Sequence, residues 1–391
     1  MKHEISGAPE GYDAYVAAEA ALRLDDLVLF VAADDARASA ALESVRFFHP
    51  HLPVLHFPAW DCLPYDRISP RADIESKRLA TLASLAKRGA KSKAALVVTT
   101  VNALVQRVPP REFIAHASFF AKAGAEIELE ELTQFLARNA YSRTGTVREP
   151  GEYAPRGGIL DLWPPGEEEP LRLDFFGQEL ETIRRFDAES QRTTGTQPQV
   201  ALLPATETPL DAKAISRFRS GYVAAFGAVT DDDPLYEAIS AGRKHAGQEH
   251  WLPLFHERLD TLFDYTGRTL TFLGPHIEEA RKARIDLIAD YYMTRESLRT
   301  GKGQAAGGTV AAPYKPLKPN ALYLTEAEWE RALHARPHRL LSPFGAPDTT
   351  KSTDAGGRPG RDFAPERAQE SSGRINIFEA ASAHIASLQA A

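Results

Sequence analysis

Apolar residues gather in two unbroken runs, 27–33 (LVLFVAA) and 95–100 (ALVVTT), with a shorter run at 54–57 between them. Unbroken rather than alternating runs of this length predict strands covered on both faces, the pattern of a parallel sheet. Between the runs the period lengthens. Residues 37–48 and 73–88 read as helices, and in the second Ile74, Leu79, Leu82 and Leu85 approximate one face that can cover the sheet. Strand and helix thus alternate through the first part of the chain, which predicts an α/β class.

A helix at 129–140 follows, with Leu129, Leu132, Phe135 and Leu136 on one face. The period then drops to two. Residues 159–163 and 171–176 read as short strands split by the turn Pro164-Pro165-Gly166. On the second strand Leu171, Leu173 and Phe175 share one face, and Arg172, Asp174 and Phe176 share the other. Periodicity leaves two readings of that second face open. An aromatic beside an arginine is a common composition of a protein-binding hot spot. Alternatively, Phe176 faces a second apolar layer while Arg172 and Asp174 pair across strands.

Helices and strands mix again from 205 to 335. Residues 269–273 predict a strand and 277–299 a long helix, and Thr325-x-x-Glu328 is a capping box opening a short helix around Trp329 and Leu333. From 342 to 373 Gly, Pro, Ser, Thr and Asp dominate, a linker by composition. Residues 376–391 resume helical spacing with Ile377, Phe378, Ala381, Ile385 and Leu388. That apolar face is expected to dock back or lean on a neighbour.

Composition narrows the function. The 391 residues carry 43% hydrophobic and 25% charged positions, ordinary for a globular protein of two or three domains. A net charge of −7 argues against a chain whose main task is gripping duplex DNA. Basic residues are scattered apart from small groups such as Lys87-Arg88, Lys91 and Lys93, which read as a solvated helix end and loop. The single cysteine, Cys62, excludes an intrachain disulfide and suits a reducing cytoplasm. Beside Trp60 and Leu63 it reads as a packed small hydrophobe. No apolar run approaches the ~20 residues of a membrane span, and no signal-peptide core precedes the first helix.

The order YAPRGGILDLWPPG (153–166), PLRLDFFG (170–177) and IRRFDAESQR (183–192) resembles the UvrA-binding domain shared by the excision-repair protein UvrB and the transcription-repair coupling factors. Residues 56–82 and 95–110 are more similar to the coupling factors than to UvrB. The resemblance implies a degenerate P-loop, UvrB-like parallel-sheet domain in two parts, 1–117 and 205–340. A small α+β UvrA-binding domain at 118–204 interrupts it. A linker at 341–373 and the start of a further domain or docking helix at 374–391 would follow. It implies UvrA as partner, contacted by Arg156, Arg172 and Phe176, with Asp174, Arg184, Arg185 and Arg192 extending the polar edge. RNA polymerase and duplex DNA would be reached through the rest of a longer protein, where ATP and magnesium would also bind. As the alternative, the same surface makes an intramolecular contact with that remainder and acts as an autoinhibitory domain.

Folds of this kind open on a phosphate loop, G-x-x-x-x-G-K-[ST], whose lysine reaches the phosphates and whose hydroxyl binds magnesium. Here the corresponding stretch runs from Ser6 through Gly11 to Tyr12 and Asp13, with Tyr12 for the lysine and Asp13 for the hydroxyl. A carboxylate stands where phosphate would sit, Glu10 adds another, and Asp13 is expected to act as an N-cap. After 269–273 no acidic pair follows; Glu278 and Glu279 are expected in a first helical turn. Neither catalytic residue, metal nor cofactor is therefore expected in this chain, a weak DNA-binding ATPase remnant being the alternative. His49, His51 and His56 lack flanking ligands and read as surface loop. Asp231, Asp232 and Asp233 lack the glycine and glutamate of a calcium loop and read as a solvated turn. Trp60, Tyr65 and Arg67 read as a nucleic-acid stacking patch; the better reading packs Trp60 in the core beside Pro58 and Pro64.

Overall fold

In the computed structural model the described residues are 3–89, 92–116, 119–229, 233–299, 314–345, 352–357, 361–370 and 376–390. Seven parallel strands form the principal sheet, in the order Ser352–Asp354, His3–Ser6, His338–Leu341, Leu270–Leu273, Leu27–Ala32, Ala95–Thr100, Val54–Phe57. The three predicted strands of the first part lie next to one another, with Leu27–Ala32 in register against Ala95–Thr100.

Both faces of the sheet are covered at its centre, which is why Leu27–Ala32 and Ala95–Thr100 are buried at every position. Val28, Phe30 and Ala32 pack against helices Tyr12–Leu24 and Asp35–Phe48. The first of these helices buries Ala14, Ala17, Ala18 and Ala21, small residues that permit a close approach to the sheet. Leu27, Leu29 and Val31 turn to the other face, against Leu79, Leu82 and Leu85 of helix Ala72–Lys87 and against Leu262 and Trp329. Each fully buried Leu, Val or Phe contributes roughly 1.5–3 kcal/mol, so the central strands carry much of the stability.

Strands from both ends of the sequence share this sheet, and the chain between them makes two further bodies. The first is a six-stranded path, Thr193–Gln197, Glu179–Phe186, Leu171–Phe176, Ile159–Leu162, Glu152–Arg156 and Ser142–Arg143, antiparallel except for its last pairing. Leu160, Leu162, Leu171, Leu173, Leu180 and Ile183 bury one face of it against Leu132 and Leu136 of helix Leu129–Arg138. The second packs helices Ala212–Phe226 and Pro234–Ser240 and the turns around Trp251 against helix Ile277–Arg299.

Trp60 and Tyr65 are buried in that second body, Trp60 edge-on to the His250 ring, so the core reading holds and no stacking patch is displayed. Cys62 lies against the same cluster; burial, and then Glu249 nearby, push its thiol up to about 12, which removes nucleophilic character at neutral pH. The capping box at Thr325 is present, with Glu328 Oε2 accepting from the Thr325 backbone at 2.9 Å. Among the described residues no group of acidic, His and Cys side chains is placed to hold a metal, and no helix is long and apolar enough to cross a membrane.

Three expectations are corrected. Asp233 is not a solvated turn: it is buried and caps helix Pro234–Ser240, accepting from Tyr222 Oη at 2.7 Å and Lys315 Nζ at 2.8 Å, because two aromatic-lined helices close over it. Asp231 and Asp232 lie outside the described residues, as does Lys91. Within the compositional linker, Ser352–Asp354 pairs in parallel with His3–Ser6, since an open sheet edge supplies backbone partners that composition does not reveal. The third concerns Asp13 and is taken up with its loop.

Candidate functional site

The outer face of the inserted sheet is built by strand register. One row across it runs Ala154, Asp161, Arg172, Arg184, Thr196; the next runs Arg156, Ile159, Asp174, Thr182. Arg172, Asp174 and Arg184 therefore meet on one surface, as alternation requires. They meet as pairs. Arg172 donates from Nε and Nη2 to the two oxygens of Asp161, at 2.6 and 2.9 Å, and Asp161 is fully buried. Its guanidinium also lies 4.7 Å from the centre of the Phe186 ring. Arg184 holds Asp174 in the same two-pronged way at 2.7 and 2.6 Å, and Thr182 Oγ1 adds a third bond. Partial burial opposes ionisation of Asp174, but the bonds from Arg184 and Thr182 outweigh it and hold the carboxyl below the usual range.

Of the two readings of this face, the second holds for the charges and fails for the ring. Arg172 and Asp174 do pair across strands, but no second apolar layer covers Phe176. The ring is 76% exposed, at the end of a strand joined to the next through Gly177, whose φ of 62° makes the tight reversal. A register shift beyond Asp174 leaves Phe176 opposite Glu179. Arg156 is exposed and folds its guanidinium over the neighbouring loop, donating to the Gly145 carbonyl and to Thr146 Oγ1. Arg185 does not join Arg184: it projects from the opposite side and lies along Gly195, its cross-strand neighbour. Arg192 is exposed and lies past this row, in the turn where the Asp187 amide donates to its carbonyl.

The residues that join this unit to the body were not foreseen. Arg78, in the middle of helix Ala72–Lys87, is fully buried and pairs with the equally buried Glu207, while Nη1 donates to the Pro58 carbonyl at 2.9 Å. It stacks 4.3 Å from the Phe57 ring centre. Glu75, one turn earlier, accepts from Thr206 Oγ1 at 3.0 Å and the Glu207 amide at 3.2 Å. Ser76 Oγ accepts from the Gly166 amide at 3.1 Å. One helix of the body thus grips the insert at two places. The signal in the sequence was a charged pair, Glu75 and Arg78, on the same helical face as Leu79 and Leu82.

Glu249 completes this junction, accepting from Ser69 Oγ at 2.8 Å. Burial, and then the charge of Glu75, raise its carboxyl to about 8 from an ordinary 4.5. Burial raises Glu75 as well. A raised carboxyl stabilises the fold while it keeps its proton: the contribution is full below about 4.5 and lost as pH rises towards 8. Thermal unfolding between pH 5 and 9 is expected to show the melting temperature of the wild type falling more steeply than that of Glu249→Gln. Parallel curves would contradict this.

The loop expected to be a phosphate-loop remnant lies between strand His3–Ser6 and helix Tyr12–Leu24. The N-cap is Gly11, at φ 85°, rather than Asp13. Asp13 is buried inside the first turn and curls back, Oδ1 accepting from the Gly11 and Ala14 amides at 3.1 and 2.8 Å while Arg37 bonds Oδ2 at 2.6 Å. Burial raises its carboxyl, with Arg37 opposing. The amides that such loops turn to phosphate are engaged elsewhere: Gly7 donates to Phe344, Ala8 to Ser342, and Tyr12 and Asp13 to Pro9. Ser6 is buried against Ser352. Glu278 and Glu279 open helix Ile277–Arg299, and Glu278 is paired with Arg281.

A helicase-like parallel sheet interrupted by a small antiparallel unit is the architecture of UvrB-like proteins, and residues 120–207 match the UvrB interaction domain. Over most of its length the chain is similar to transcription-repair-coupling factors. It is 38% identical over 293 residues to the transcription-repair-coupling factor of Escherichia coli (strain K12), covering 74% of this chain and 25% of that protein. With the one from Haemophilus influenzae it shares 33% identity over 340 residues, 86% of this chain and 28% of the relative. The Bacillus subtilis (strain 168) protein is 27% identical over 227 residues, 54% of this chain and 19% of the relative. The chain thus spans about a quarter of the length of the first two of these relatives.

Proposed function

We propose that this chain is the non-catalytic recruitment module of a transcription-repair-coupling factor. It binds UvrA and so brings excision repair to RNA polymerase stalled at damage. The observation that carries the reading is Phe176: a large ring held out on a short reversal, beside a charge row whose pairs fix the backbone beneath it. An ordered aromatic loses little entropy on binding and fills a pocket well. Arg156 supplies a cation on the same surface for an acidic partner group. ATP and magnesium fall to the remainder of the longer protein, because in this loop Asp13 holds the phosphate position and the neighbouring amides are committed.

The test is a titration with purified UvrA. Phe176→Ala and Arg156→Glu are each expected to weaken binding by about tenfold or more, equivalent to at least ~1.4 kcal/mol. Phe176→Ala should leave the melting temperature unchanged, since the ring is exposed, and Arg156→Glu should lower it only slightly through the lost bonds to Gly145 and Thr146. Wild-type affinity in the double variant would overturn the assignment. The autoinhibitory alternative uses the same surface for an exclusive intramolecular partner. It predicts that Phe176→Ala raises the activity of the full-length protein.

A further inference from the structure

The remnant loop has a ligand, and it is the chain itself. Edge strand Ser352–Asp354 runs parallel to His3–Ser6, with Glu4, Ile5 and Ser6 opposite Ser352, Thr353 and Asp354. Beyond the strand the contact continues onto the loop: the Ala355 amide donates to the Ser6 carbonyl at 2.8 Å and the Gly357 amide to the Gly7 carbonyl at 3.0 Å. Tyr12, the residue standing in the lysine position, donates its hydroxyl to the Ala355 carbonyl at 2.8 Å. Gly357 sits so tightly in this cradle that a Cβ there would collide with the Gly7 carbonyl, lie 2.8 Å from Pro9 Cδ and 3.0 Å from Tyr12 Cδ1. Gly7, at φ 65°, turns the loop to meet it.

We propose that the former phosphate loop serves as a clasp for the chain's own downstream segment, with 352–357 bound in an extended conformation and Tyr12 as its lock. The extended peptide adds a strand to an open sheet edge, and a cradle that admits only glycine sets its register. The clasp does two things at once. It pairs the backbone groups along the outer edge of strand His3–Ser6. It also occupies the loop with backbone.

Hydrogen exchange on the intact chain tests this. The Ala355 and Gly357 amides are expected to exchange at least about tenfold more slowly than in an unstructured peptide. Gly357→Val should abolish that protection while leaving the amides of Leu29 and Val97 in the central strands unchanged. Tyr12→Phe, which keeps the ring and removes one bond, should give a smaller loss confined to 352–357 and the Ser6–Gly11 loop. Free-peptide exchange at Ala355 and Gly357 in the wild type, or full protection in Gly357→Val, would overturn the proposal. Should Gly357→Val fail to fold, an unchanged exchange pattern in Tyr12→Phe would do so.

Discussion

Replacing Arg78 by alanine is expected to destabilise the protein by about 3–5 kcal/mol, the usual consequence of leaving a buried charge without its partner. Glu207 would then sit fully buried. Its remaining bonds through the carboxylate would reduce to a long one from Trp60 Nε1 at 3.4 Å. The Pro58 carbonyl would lose its donor as well. Chemical denaturation read by tryptophan fluorescence measures the loss, because Trp60 lies against the guanidinium, 5.5 Å from its ring centre. A double variant, Arg78→Met with Glu207→Leu, should recover much of the deficit, since an apolar pair carries no desolvation cost. A loss below about 1 kcal/mol in Arg78→Ala would mean that water reaches the pair and that it behaves like a surface bridge.

The second large effect is expected at Arg172. Changing it to glutamate removes the bidentate partner of buried Asp161 and sets a second carboxylate against it. Comparable buried pairs lose about 3–5 kcal/mol when one member is removed, and a like charge adds to that. UvrA binding should disappear together with the order of the sheet, which circular dichroism and exchange at strand Ile159–Leu162 would register. Arg172→Lys keeps the charge but not the fork, and should recover part of the stability. If instead Arg172→Glu melts like the wild type and only binding is lost, then Asp161 finds another partner and Arg172 is chiefly a contact residue. Phe176→Ala is the cleaner probe of the interface for this reason.

Much of the fold was legible because long-range physics left a local trace. A strand buried on two faces must be largely apolar, so 27–33 and 95–100 announced themselves and landed side by side, with the half-buried edge strand 54–57 next to them. Helix Ile277–Arg299 and the box at Thr325 were equally plain. The edge strands were not: His3–Ser6 and Ser352–Asp354 are short and polar, and only the presence of a neighbour makes them strands. The face assignment of Arg172, Asp174 and Phe176 followed from alternation. Which of them is free did not, because Asp161 lies eleven residues away and meets Arg172 only through strand register. Arg185 cannot share the row of Arg184, because neighbours along a strand point to opposite sides. Asp13 is visible in the sequence as a carboxylate after the loop, but its burial and its pairing with Arg37 from the next helix are not.

The insert departs from the body and returns to it, and helix Ala72–Lys87 holds it near both its Pro-Pro-Gly turn and its last residues. A single tether would let such a unit swivel in any direction; two separated fastenings, at Gly166 and at Thr206 and Glu207, leave only the line through them as an axis. The bearing of the outer face is therefore set largely by the lie of one helix.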